Sequence, residues 1–340
     1  MHKGDYCVGV RLLVVWRNDT VCLGRIPAER VREISENILA SELPVEINRR
    51  VVDPNYDLII SVGQVVPHAV AGMANYSKNF IVGVGGESMI NATHLVGACY
   101  GMEKIMGRDK TPARNLMDYA FDQFLGNLPV IFMQTVTASD GTERPFLYSL
   151  SISADRRSYE YAVQRSAEKN ITWLNDPLQT AVAYLDPLEF HSTWTANKAI
   201  HRLKSAIKPG GSLVVVAPGV HCFSEDAVTD RLIEKYGYCG IEKIKEYRDE
   251  YRELRENLAA AAHLIHGSAD KQFTVYYHAP LLGKERLESV GYRYITEKEL
   301  RDRFGYPDLK PGFQDKTNPN SIFYVPNPAL GLWIWDKERR

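Results

Sequence analysis

Several things are scarce in this 340-residue chain, and each scarcity excludes a class of function. No apolar run approaches the length of a bilayer span. The opening MHKGDYCVGVRLLVVW has a short apolar stretch but no small-residue cleavage site, so it reads poorly as a signal peptide. The five cysteines, Cys7, Cys22, Cys99, Cys222 and Cys239, are odd in number and widely spaced with no C-x-x-C pair, which argues against a disulfide framework and a zinc–thiolate site. Formal net charge is only −1, so the chain as a whole offers no electrostatic footprint for nucleic acid or an anionic membrane. Internal repeats and low-complexity segments are absent. The expectation is a cytoplasmic protein with reduced thiols.

What is present is an ordinary globular composition, 45% hydrophobic and 24% charged, in a chain long enough for two domains. Strand-length apolar runs alternate with helix-length periodic segments, which predicts an α/β fold. Strands are expected over 57–62, 128–137, 146–153, 181–185, 212–217 and 273–277. Helices are expected over 88–106, 112–126, 158–169, 195–208, 225–236 and, as one long element, 241–266. Pro209-Gly210-Gly211 reads as the stop of the 195–208 helix. The tail from about 305 to 328, rich in Pro, Asn and Gly, reads as irregular. A domain boundary is expected near 165–175, giving α/β domains over 1–168 and 169–340 with the active site in the cleft between them.

In an open α/β sheet, ligands bind beyond the carboxyl ends of strands. The strand over 57–62 ends at Gly63, which places Pro67 and His68 at such a crevice. Histidine suits proton transfer near neutral pH, although a loop histidine is more often structural. Gly83-Val84-Gly85-Gly86 feeds the helix carrying His94, and such turns offer N–H groups to a phosphate; a plain tight turn serves the pattern equally well. His94 is either a metal ligand or a hydrogen-bonded core histidine. Lys198, near a helix start, suits a carboxylate or simply faces solvent. His263 and His266 have a spacing that can share a metal, but a cap of a helix C-terminus favouring protonated imidazole is the plainer reading. The mixed charge run over 242–256 reads as a solvated helix face.

Taken together these residues form a pattern. DLIISVGQVVPHAVAGMANYSKNFIVGVGGESMINATH resembles the core of the nickel-dependent lactate racemases and related 2-hydroxy-acid racemases and epimerases. The shared features are Pro67-His68, Ala71-Gly72, Lys78 ten residues after the first histidine, the glycine turn at 83–86, and His94 sixteen residues after Lys78. NKAIHRLKSAIKPGGSLVVVAPG (197–219) is similar to the family's second-domain helix and strand, with Lys198 in the substrate-lysine position. The resemblance implies a nickel-pincer nucleotide, a pyridinium bis-thiocarboxylate mononucleotide, covalently attached at Lys78, with His94 as the protein's nickel ligand. It further implies room and N–H groups for that cofactor at Gly72, Gly85 and Gly86, acid/base work by His68, and a carboxylate contact from Lys198. The implied activity is racemisation or epimerisation of a 2-hydroxy carboxylic acid by proton-coupled hydride transfer to and from the cofactor. The implied partners are that small molecule and the proteins that make the cofactor.

Three departures from the family's pattern carry expectations of their own. The family segment that supplies a second acid/base histidine, in a Gly-Thr-His motif, and substrate-binding Asp and Arg precedes the point where this sequence begins to match, around Val15 to Asp19. A truncated sequence is therefore expected, with an exposed apolar sheet edge and poor solubility. Met73 to Ser77 stands where lactate racemases have a Phe-Ser-Gly-Gly-like run, so Asn75 and Tyr76 should alter cofactor contacts. Thr195 follows Trp194 where the family often has Gln, which points to a substrate other than lactate, such as a larger hydroxy or sugar acid. Two other classes remain open: a metal-dependent hydrolase or lyase using His68 and His94, and a non-catalytic remnant that binds an organic acid.

Overall fold

The structure, a computed structural model, describes residues 19–138, 146–329 and 331–335. Cys7 and most of the Val15–Asp19 segment lie outside the described residues. The fold is α/β, as expected. Its larger sheet has six strands in the order Arg293–Tyr294, Thr274–His278, Ile207–Val216, Leu178–Tyr184, Ile322–Val325 and Gly312–Phe313. All neighbours run parallel except the last pair. A three-stranded sheet places Ile59–Gln64 parallel to Val130–Ala138, which pairs antiparallel with Phe146–Ser153. Buried apolar side chains gather in two main clusters, one around the shorter sheet and one around the longer. The helix Leu258–His266 packs directly on the helix Glu87–Tyr100, which joins the two.

Most expected elements are present, and the departures have local causes. The helix expected over 88–106 breaks at Gly101, whose φ of 103° interrupts Glu87–Tyr100 before a short turn at Met102–Ile105. The 195–208 helix begins earlier, because Ser192 accepts from the Thr195 N–H, and it runs as Thr193–Ala196, Lys198–Leu203 and a tight turn at Lys204–Ala206. Pro209-Gly210-Gly211 does not stop it. Ile207 is already extended, and the three residues form an irregularity within the strand Ile207–Val216.

The single helix expected over 241–266 is three. Tyr251 turns extended after Ile241–Glu250, and Asn257 separates Arg252–Glu256 from Leu258–His266 while accepting from the Ala260 N–H. The tail is not irregular throughout, since Ile322–Val325 enters the larger sheet beside Leu178–Tyr184. Its four residues alternate between buried and half-buried, a signal too short to stand out among turn-forming neighbours.

The shorter sheet exposes an apolar face. Ile60, Val62, Leu150 and Ile152 are all exposed, and Met133, partly buried, sits between Val62 and Ile152 in register. Among the described residues no helix is long and apolar enough to cross a membrane, and Cys22, Cys99, Cys222 and Cys239 are free thiols.

Candidate active site

After the strand Ile59–Gln64 the chain forms a small hairpin in which Pro67 and His68 pair with Met73 and Gly72. Gly72 has a φ of 75°, and a Cβ there would run into the Arg108 carbonyl. The rest of the loop is held by Arg114, fully buried on the helix Pro112–Phe124. Its guanidinium donates to the carbonyls of Ala71, Met73 and Asn75 and to Ser77 Oγ, with Asp118 at 3.7 Å as counter-ion. Arg114 is thus a positioning residue for the segment between His68 and Lys78. Sequence reasoning missed it because its hydrogen bonds all go to backbone carbonyls or a hydroxyl, which leave no motif in the sequence.

Asn75 and Tyr76 occupy positive φ, 72° and 59°. Asn75 stabilises this by donating to the Gly63 carbonyl and accepting from the Tyr76 N–H. Glycine is the residue best suited to that backbone, which gives a physical reason for the Gly-Gly run at this place in the resembling sequences. The Tyr76 ring stacks on Tyr159 at 5.2 Å within the core, so its bulk is turned away from the loop surface.

His68 Nδ1 accepts from the Val70 and Ala71 N–H groups, both at 3.1 Å. A neutral ring so held carries its proton on Nε2 and is a donor. Burial pushes its pKa well below the usual histidine range, and Lys78, His94, Arg202 and Arg114 push the same way. The geometry makes Nε2–H a hydrogen-bond donor to a ligand oxygen; uptake of a proton at Nε2 requires the other tautomer, in which Nδ1 gives up its two amide bonds. His94 is the reverse case. Its Nδ1 donates to the Ile90 carbonyl at 2.6 Å, which leaves the Nε2 lone pair free. Burial lowers its pKa, the Ile90 bond opposes this, and Lys78 lowers it further. Lys78 is itself lowered, by burial first and Arg114 second, which raises its neutral, nucleophilic fraction.

A cleft of about 250 Å³ brings His68 and His94 together with Lys198, from the other end of the chain. Lys78 is not on its lining, although its charge is felt at both histidines. Lys198 lies over the Phe190 ring at 5.2 Å; burial lowers its pKa, Glu189 opposes this and Arg202 adds to it.

The cleft also contains four residues not singled out as site residues: Arg202, His201, His263 and His266. The last two are not the protonated caps expected of a helix end. Both are buried, burial pushes both down to about 3, and His263 stacks on Trp194 at 4.1 Å while meeting the Tyr238 hydroxyl at 3.0 Å.

A broader groove of about 1110 Å³ shares Trp194 and Ala259 with the cleft and reaches Gly85. Close packing accounts for two of the glycines: a Cβ would strike Ile81 O at Gly85 and Glu46 at Gly86. The Gly86 N–H donates to Glu46 O at 2.9 Å, so it is not free for a phosphate in this conformation.

Among the described residues no three His, Cys, Asp or Glu side chains are placed to hold a metal ion. A catalytic zinc site takes three protein ligands, which counts against a hydrolase built on His68 and His94. A nickel group that brings its own donors needs only one histidine and an amine for attachment. His94 with a free Nε2 and Lys78 with a lowered pKa fit those two requirements.

Residues 36–105 match the lactate racemase N-terminal domain family. Among solved structures, a protein from Thermotoga maritima is similar over 94% of this chain and 76% of its own, with a TM-score of 0.79 at 22% identity. The lactate racemase apoprotein from Thermoanaerobacterium thermosaccharolyticum is similar over 93% of this chain and 69% of its own, with a TM-score of 0.68 at 14% identity. At these identities the likeness establishes the fold. No curated protein sequence matches the chain.

Proposed function

The chain belongs to the lactate racemase-like family, and from that premise we propose that it is an isomerase, a racemase or epimerase of a 2-hydroxy carboxylic acid. The observation that carries this reading is the meeting of His68, His94 and Lys198 in one cleft from segments over a hundred residues apart. We further propose a division into a cofactor-binding domain over 1–168 and a substrate-contacting domain over 169–340, a cytoplasmic setting, and dependence on proteins that make the cofactor.

The α-C–H of a 2-hydroxy carboxylate is a poor acid, because deprotonation beside the carboxylate creates a dianion. Removal of hydride with loss of the hydroxyl proton gives a planar 2-keto acid instead. A nickel-pincer nucleotide, when bound, would supply the reversible hydride acceptor that this chemistry needs. Lys78 would attach the group through its amine, and His94 Nε2 would be its protein ligand. Lys198 would hold the substrate carboxylate, and an anion there would restore the charge that burial disfavours. His68 Nε2–H would hydrogen-bond the substrate oxygen, and would take the hydroxyl proton at Nε2 only as the other tautomer, with Nδ1 released from the Val70 and Ala71 amides and itself protonated. Arg114 would keep His68 and Lys78 at a fixed separation.

The test is interconversion of single enantiomers of 2-hydroxy acids, read by chiral chromatography on the chain produced together with the cofactor-biosynthesis proteins. Racemisation that disappears in Lys198→Ala supports the reading. Net oxidation to a keto acid without the opposite enantiomer would contradict it.

A further inference from the structure

Among the described residues three cations, Arg114, Arg202 and Lys204, are buried, and two have anionic partners. Arg114 has Asp118, and Lys204 has Asp270 at 2.6 Å and Glu103 at 3.4 Å. Arg202 has none among the described residues. Its Nη2 donates to the Ala329 carbonyl at 3.1 Å, and its Nη1 meets only the Met106 sulfur at 4.0 Å. Burial alone lowers its pKa to about 10, so it remains a cation at neutral pH. A buried charge without a counter-charge is costly, and proteins keep such groups where an anion completes them.

Arg202 faces the same cleft as Lys198, four residues earlier on the same helix, so the two cations lie one turn apart. Lys198 also has no ion pair among the described residues, and no Asp or Glu lines the cleft. His201 and His266, on the same lining, each keep a buried Nε2 without a hydrogen-bond partner. A 2-hydroxy monocarboxylate brings one negative charge to two unpaired cations; a dicarboxylate brings two.

We propose that Arg202 is a specificity-determining residue that binds a second carboxylate, so that the substrate class is a 2-hydroxy dicarboxylate held by Lys198 at one end and Arg202 at the other. This rests on the reading of the cleft as a 2-hydroxy-acid site. The planar guanidinium suits bidentate capture of a carboxylate, and the orphaned imidazole nitrogens of His201 and His266 complete a polar end for it.

The experiment is calorimetric titration of the full chain with malate, lactate and inorganic phosphate, for wild type, Arg202→Gln and Arg202→Lys, each checked for native circular dichroism. Wild type should bind malate at least about tenfold more tightly than lactate, roughly the value of one added charge-assisted contact. Arg202→Gln should abolish the preference for malate over lactate, and Arg202→Lys should keep part of it. Equal affinity of wild type for malate and lactate overturns the inference while leaving the hydroxy-acid site standing. Loss of phosphate binding with malate retained in Arg202→Gln also overturns it, assigning Arg202 to a cofactor phosphate. Failure of wild type to bind either acid overturns the inference and the hydroxy-acid reading together. If Arg202→Gln does not fold, the wild-type ratio and Arg202→Lys decide.

Discussion

His68 and His94 are both desolvated and both neutral, yet their hydrogen bonds prepare them for opposite tasks. Two amide donors at Nδ1 make His68 a donor at Nε2, while one carbonyl acceptor at Nδ1 makes His94 an electron-pair donor there. Replacing His68 by Ala should therefore lower kcat for racemisation by about 10²–10⁴-fold, the usual span for a positioned acid–base group. Nickel content should be unchanged. His94→Ala should instead reduce nickel content, measured by metal analysis on the purified chain. Loss of nickel in His68→Ala would reverse the two assignments. At Arg114 the expectation concerns stability: Arg114→Met strands several buried loop carbonyls, while Asp118 keeps Arg156 at 3.2 Å, so chemical denaturation should show a loss of about 1–3 kcal/mol. A loss under 1 kcal/mol would show that the loop holds itself.

At the scale of elements, the segment from Ile59 to Tyr100 was the most legible. Its strand, hairpin loop and helix follow in order, and Lys78 and His94 stand at fixed separations from His68 within it. Arg202, His201 and His266 were not legible as site residues. They lie on helices whose packing partners are distant in sequence, and the burial that makes His263 and His266 neutral comes from Trp194, Tyr238 and the cleft itself. Helix breaks at Gly101, Tyr251 and Asn257 were likewise hidden, since apolar periodicity continues across each of them. The shorter sheet carries its own prediction. Ile60, Val62, Leu150 and Ile152 form an exposed apolar face next to a strand edge, an arrangement prone to association. A Val62→Lys/Ile152→Lys double variant should raise solubility and reduce binding of a hydrophobic dye without changing circular dichroism. Unchanged dye binding would show that the face is already covered in solution.

For the molecule as a whole, the buried histidines set the acid limit of stability. His263 and His266 are pushed down to about 3 and His201 well below its usual value, mainly by burial. Unfolded histidine takes up a proton near pH 6.5, so below that pH the unfolded chain binds protons that the native state refuses. Stability should be at its full value above about pH 6.5 and fall as pH drops toward 3, each histidine adding a slope of up to about 1.4 kcal/mol per pH unit. Denaturation midpoints at pH 7.5, 6 and 5 check this, and a flat profile would contradict it.

Whether Lys78, His94 and the cleft form one cofactor-dependent isomerase is decided by intact mass spectrometry with metal analysis. Wild type and Lys78→Ala would each be produced together with the nickel-pincer biosynthesis proteins. A covalent adduct and bound nickel are expected on the wild-type chain, both absent from Lys78→Ala. A folded wild-type chain with neither adduct nor nickel would contradict that reading.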